Sequence, residues 1–145
     1  APGGWSQYIK KKSPLSDVYA IDILEMDSLD GVHFFLKSIE EINEIDLIHN
    51  LKGNFGLVIS DIAPNITGIN AIDIVNIYEL NCLTLDTAIE YLDSSNGSFI
   101  MKTFQNSMLK NLRKKMELSF KIVQTFKPAA SKKQSGEIYL YGACK

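Results

Sequence analysis

Three side chains in this 145-residue sequence have the types that a proton transfer needs: Asp61, Lys102 and Glu137. Asp61 follows the apolar run Leu57-Val58-Ile59, and Ala63-Pro64-Asn65 then stops easy continuation as strand or helix. Lys102 follows the apolar run 98–101, and Glu137 opens the run 138–142. In an open α/β sheet the carboxyl ends of parallel strands face one ligand crevice, so Asp61 and Lys102 are expected to share that edge. Glu137 joins them only if its strand runs antiparallel. An exposed lysine titrates near 10.4, and it becomes a base when burial or a neighbouring cation disfavours its charge, bringing it toward about 7 to 8. Carboxylates pull the other way and hold the ammonium in place. The same residues also permit plainer roles, Asp61 as a turn or helix-cap aspartate and the trio as a structural ion-pair group.

The elements that would position these residues alternate along the chain. A glycine turn, Ala1-Pro2-Gly3-Gly4, opens a short helix over 6–12, and such a turn is useful when a strand feeds it, so an upstream segment is expected. Strands are read at 18–21, ending in Asp22, and at 32–36. Asp22 falls 18 residues after Gly4, near the spacing at which an acid at a strand end holds a ribose in nucleoside-binding α/β folds. An acidic helix is predicted over 40–51. The clearest helix covers 71–93, with Val75, Tyr78, Cys82, Leu85, Ile89 and Leu92 as its expected core face. A strand at 98–101, a basic helix over 105–118 and two closing strands at 122–126 and 138–142 complete the pattern. Strand and helix in this order predict an α/β, doubly wound, mostly parallel sheet with an antiparallel closing strand, in a single domain over 1–145.

Composition narrows the class. Hydrophobic residues make up 46% of the chain and no run is long enough to span a bilayer, so no membrane partner is expected. Cys82 and Cys144 lack metal-like spacing, and a reduced intracellular protein without a metal site is the expectation. The formal charge of −2 conceals an asymmetry. Residues 102–145 hold ten Lys or Arg against Glu117 and Glu137, whereas residues 1–101 hold five Lys against fifteen Asp or Glu. That contrast suggests a basic face for a polyanion, although solvated helix faces also collect lysines. Lys10 to Lys12 are read as such a solvated face, and His33 and His49 as structural.

Four ordered stretches then make the sequence recognisable. They are A-P-G-G-W-S-Q at 1–7, S-D-I-A-P-N-I-T-G at 60–68, G-S-F-I-M-K-T-F-Q at 97–105, and K-P-A-A-S-K-K-Q-S-G-E-I-Y-L at 127–140. Together they resemble the RrmJ/FtsJ family of RNA ribose 2'-O-methyltransferases, over the length of the chain. The resemblance implies a Rossmann-like methyltransferase fold that binds S-adenosylmethionine and releases S-adenosylhomocysteine. It places Gly3, Gly4 and Trp5 on the cofactor, Asp22 at its ribose or adenosine end and Asp61 at its methionine end. The family's Lys-Asp-Lys-Glu tetrad matches Asp61, Lys102 and Glu137 in its last three members. Its first lysine, like the first strand, is expected upstream of the glycine turn. The family's acid near the adenine aligns with Ser38, where adenine contacts would differ.

The implied reaction is in-line attack of a ribose 2'-hydroxyl on the sulfonium methyl, with Lys102 accepting or relaying the proton. Phosphate contacts are then expected from Lys110, Arg113, Lys114 and Lys115, and from Lys127, Lys132 and Lys133. The form S-D-x-A-P-N-x-[ST]-G resembles the bacterial and mitochondrial branch that acts on large-subunit ribosomal RNA, more than the tRNA branch. The expectation is a monomeric uridine 2'-O-methyltransferase of that RNA, cytoplasmic, or mitochondrial if a targeting segment lies upstream. A tRNA or cap methyltransferase and a catalytically silent RNA-binding or assembly module on the same fold are the rival readings.

Overall fold

The computed structural model describes residues 2–128 and 136–144, which fall in two compact units divided after Asn50. In the first unit, helix α1 (Gly4–Lys12) precedes strands β1 (Val18–Asp22) and β2 (Val32–Leu36), which pair in parallel from Val18↔Val32 to Asp22↔Leu36. Helix α1 begins two residues before the predicted start because Gly3, at φ 93°, turns the chain in the left-handed region that glycine favours. Lys10 is not merely solvated. Its Nζ donates to Pro14 O at 2.9 Å and to Ser16 O at 2.8 Å, gathering the reversal between α1 and β1.

The acidic helix expected over 40–51 is broken in two, a 3₁₀ helix Ile39–Glu44 and the short α2 (Asp46–His49). Ser38 sets the start with a capping box: its hydroxyl accepts from Glu40 N at 3.3 Å, and its own N–H donates to the Glu41 carboxylate at 2.8 Å. Ile45, with extended backbone, separates the two pieces, and its side chain is buried along with Ile48.

In the second unit the order is β3 (Leu57–Ser60), α3 (Asn70–Tyr91), β4 (Ser98–Phe104), α4 (Leu109–Glu117), β5 (Ile122–Phe126) and β6 (Glu137–Ala143). The sheet order is β3-β4-β6-β5. Strands β3, β4 and β5 run one way, and β6 lies between β4 and β5 in the opposite direction. Burial alternates along β4 and β6 with a period of two. Phe99, Met101 and Leu140 face inward, where Leu85, Ala88 and Leu92 at α3 and Leu112 and Met116 of α4 meet them. Each fully buried side chain of this size stabilises the fold by about 1.5–3 kcal/mol. Gly142 lets β6 approach Phe120, whose ring carbon would lie 2.8 Å from an added Cβ.

Two expectations shift here. Strand β4 runs on to Phe104, so Lys102 lies within it and not beyond its end, because β6 supplies ladder partners as far as Glu137. The buried stripe of α3 is Asp73, Ile77, Asn81, Thr84, Leu85, Ala88 and Tyr91, while Val75 and Ile89 are 46% and 39% exposed. Polar groups occupy that stripe because each is satisfied: Asn81 Nδ2 donates to Thr103 Oγ1 at 2.6 Å, and Thr84 Oγ1 to Leu80 O at 2.8 Å. The basic helix is shorter than expected, since Asn106 Oδ1 accepts from Met108 N at 2.8 Å and holds a turn ahead of Leu109.

Candidate active site

The alternation that sends Met101 and Thr103 into the core turns Lys102 to the opposite face of β4. There Lys102 stands opposite Tyr139 of β6, which in turn stands opposite Phe126 of β5. On the other flank, Ser60 of β3 pairs with Met101, so Asp61, the next residue, continues the row beside Lys102. Because β6 is antiparallel, its first residue Glu137 lies at the carboxyl ends of its neighbours, opposite Phe104. The structure therefore brings Asp61, Lys102 and Glu137 to one face and one edge of the sheet. Among the described residues no ion pair joins Lys102 to Asp61. Adjacent strands hold their backbones roughly 5 Å apart.

Tyr139 is the member of this group that the sequence reading missed. Burial, followed by the negative charges of Glu137 and Asp61, pushes its phenol above the ordinary value of 10.0. The hydroxyl therefore remains a proton donor among carboxylates. Counting two residues on from Glu137 along a strand would have found it.

A second missed residue fixes the loop that leads from Asp61. Asp73 is buried in the first turn of α3, and its carboxylate accepts from Thr67 N at 2.7 Å, Thr67 Oγ1 at 2.8 Å and Gly68 N at 3.1 Å. The Thr67 backbone N–H, then its hydroxyl, hold the acid below its ordinary 3.8 against the opposing effect of burial, and Gly68 N–H adds to them. With Gly68 at φ 86°, this clasp closes the loop onto the helix that follows it.

In the first unit, the residues expected on the cofactor are Gly3, Gly4, Trp5, Asp22 and Ser38. A Cβ on Gly3 would lie 2.6 Å from Leu29 Cδ1, so the turn admits no side chain there. At Gly4 nothing lies within 4 Å of that position, which leaves open space over bare backbone at the start of α1, and Trp5 follows as its second residue. Asp22 ends β1, and its Oδ1 accepts from Leu24 N at 2.9 Å. Open backbone at a helix start with an acid at a strand end fits a nucleoside-bearing cofactor. Ser38 is different, because its hydroxyl is engaged in the capping box.

The expected basic face divides. Lys110, Lys114 and Lys127 are exposed. Arg113 instead binds its own fold, with NH1 donating to Thr125 Oγ1 at 2.5 Å and NH2 to Val123 O at 3.3 Å. Lys115 pairs with Asp86 at 2.6 Å. Lys132 and Lys133 lie outside the described residues. Among the described residues no helix is long and apolar enough to cross a membrane, and no group of three or more His, Cys, Asp or Glu side chains is placed to hold a metal ion. Cys82 and Cys144 are free thiols.

Residues 1–145 match the family described as FtsJ-like methyltransferase. A relative named Ribosomal RNA large subunit methyltransferase E, of Wigglesworthia glossinidia brevipalpis, is 40% identical over 141 residues, which are 97% of this chain and 69% of that protein. A Plasmodium falciparum protein solved as a ribosomal RNA methyltransferase is similar with a TM-score of 0.82 and 28% identity, covering 98% of this chain and 80% of that one. A Streptococcus mutans methyltransferase solved with S-adenosylhomocysteine gives 0.58 at 14% identity, over 97% and 78% of the two chains, a likeness of fold alone.

Proposed function

The chain belongs to the FtsJ-like methyltransferase family, and from that premise we propose that it transfers a methyl group from S-adenosylmethionine to a ribose 2'-hydroxyl of RNA, a uridine of the large ribosomal subunit. What supports the site assignment is the strand register that sets Asp61, Lys102 and Glu137 in one row with Tyr139. In this reading residues 1–145 act as one methyltransferase domain, as a monomer, in the cytoplasm or the mitochondrion.

Within the first unit Gly3, Gly4, Trp5 and Asp22 are the residues that would hold the cofactor, which when bound would supply an electrophilic methyl on a sulfonium. Lys102 Nζ acts in its neutral amine form, taking the proton of the 2'-hydroxyl to become the ammonium as that oxygen becomes the nucleophile. The carboxylates of Asp61 and Glu137 orient the lysine and the hydroxyl, with Tyr139 beside Lys102 in the same row. Lys110 and Lys114 are exposed and are proposed to meet phosphates, a contact that positions RNA without reading its sequence.

The test is transfer of labelled methyl to undermethylated large subunits, free ribosomal RNA and tRNA, by the protein and by Lys102→Ala. Label in the large-subunit RNA, reduced about 10²–10⁴-fold in the variant, is the expected result. Label confined to tRNA would move the substrate to the rival branch. RNA and cofactor binding with no transfer would leave an RNA-binding module.

A further inference from the structure

Phe126, the last residue of β5, is 43% exposed although it is aromatic and belongs to a sheet strand. One face of its ring is covered: it stacks on Tyr139 with centroids 5.8 Å apart and planes 14° from parallel. The stack still leaves the side chain 43% open to solvent. It also belongs to the row that carries Lys102, since Lys102 and Phe126 both stand opposite Tyr139, one on each side of β6. An exposed ring that continues the site's own row is placed to receive a flat, apolar-faced group of the substrate.

We propose that Phe126 is a stacking platform for a nucleobase of the RNA, belonging to a nucleotide that adjoins the one being methylated. This rests on the RNA methyltransferase reading above. Its geometry selects which base. Two strand spacings, roughly 10 Å, separate the backbones of β4 and β5. That exceeds the reach from a ribose 2'-hydroxyl at Lys102 to its own base and suits the base of a neighbour in an extended strand. Unstacked bases in single-stranded RNA are held on aromatic faces, and every base has a π-face, so the contact favours an unpaired segment without choosing its sequence.

Two measurements decide it. Phe126→Trp places an indole on the platform, read as the difference from the parent protein, whose one tryptophan is Trp5. Its emission should be quenched by a single-stranded oligoribonucleotide and not by an abasic strand of equal length and charge. In methyl transfer, Phe126→Leu and Phe126→Ala should raise KM for RNA about tenfold. Their cofactor affinity should stay unchanged at a temperature well below the midpoint of either variant, and Phe126→Trp should restore KM. Equal quenching by the abasic strand, or a Phe126→Leu variant with the parent's KM, would overturn the platform. A parent protein that methylates no RNA would instead overturn the reading beneath it, while the quenching comparison would still decide the role of Phe126.

Discussion

Lys115 Nζ lies 2.6 Å from Asp86 Oδ2 and ties α4 to α3. The hydrogen bond to Asp86, against some burial, raises the ammonium above its ordinary 10.5, and Cys82 and Tyr78 add smaller contributions. Two neighbouring lysines therefore have separate fates. Lys115→Ala should lower stability by about 0.2–1 kcal/mol, the range of a solvent-accessible pair, and leave the salt dependence of RNA binding unchanged. Lys114→Ala should do the reverse, weakening binding uniformly across RNA sequences and reducing the slope of log K against log salt by about 1. Denaturant titration beside filter binding over a salt series separates the two.

Gly3 and Gly4 should also part company. Gly3→Ala forces a side chain into φ 93° and against Leu29, which costs about 1–2 kcal/mol for the backbone alone and should lower the thermal midpoint. Gly4→Ala meets open space at the first position of α1, where alanine is at least as good a helix former as glycine. Its thermal midpoint should hold or rise, while calorimetry shows weaker S-adenosylmethionine binding because the added methyl blocks close approach to the backbone.

The Tyr139 phenol offers a pH signature. Burial and the charges of Glu137 and Asp61 raise its folded pKa, so absorbance titration should place its midpoint above 10.0, and Asp61→Asn or Glu137→Gln should each bring it down. The stability linked to this group is complete below pH 10 and is lost as pH rises through the folded value. Tyr139→Phe should remove that alkaline loss. It should also slow methyl transfer by up to about tenfold, the value of one hydrogen bond, with cofactor affinity unchanged.

Much of this was legible because simple periodicities govern it. Strands β2 and β5 have the expected bounds, since apolar runs bounded by turn residues leave little choice. Asp61 and Lys102 could be set near one edge for the same reason. Lys102 was misjudged as terminal because a strand's end depends on its ladder partners, and β6 lies 33 residues or more away in sequence. The expected face of α3 holds at Tyr78, Cys82, Leu85 and Leu92 and fails at Val75 and Ile89, and an apolar count cannot see Asp73, Asn81 and Thr84, which enter the interior already hydrogen-bonded. The helix over 40–51 failed through chemistry that was visible but unweighed, the Ser38 and Glu41 pairing that fixes where helix begins. Phe126 was hidden, since its stack on Tyr139 follows from the register of two strands and not from either sequence alone.

The place of β6 governs when the protein comes into being as a catalyst. It is the last described strand in chain order, yet it sits between β4 and β5, which have no ladder to each other without it. During synthesis β3, α3, β4 and α4 can assemble through shorter-range contacts, but β5 has nothing to join until the 137–143 segment leaves the ribosome. Closing so long a loop is slow relative to local structure. Glu137, Tyr139 and Phe126 enter the row beside Lys102 only in that step, so a chain made as far as β5 lacks the row on which the proposed site is built.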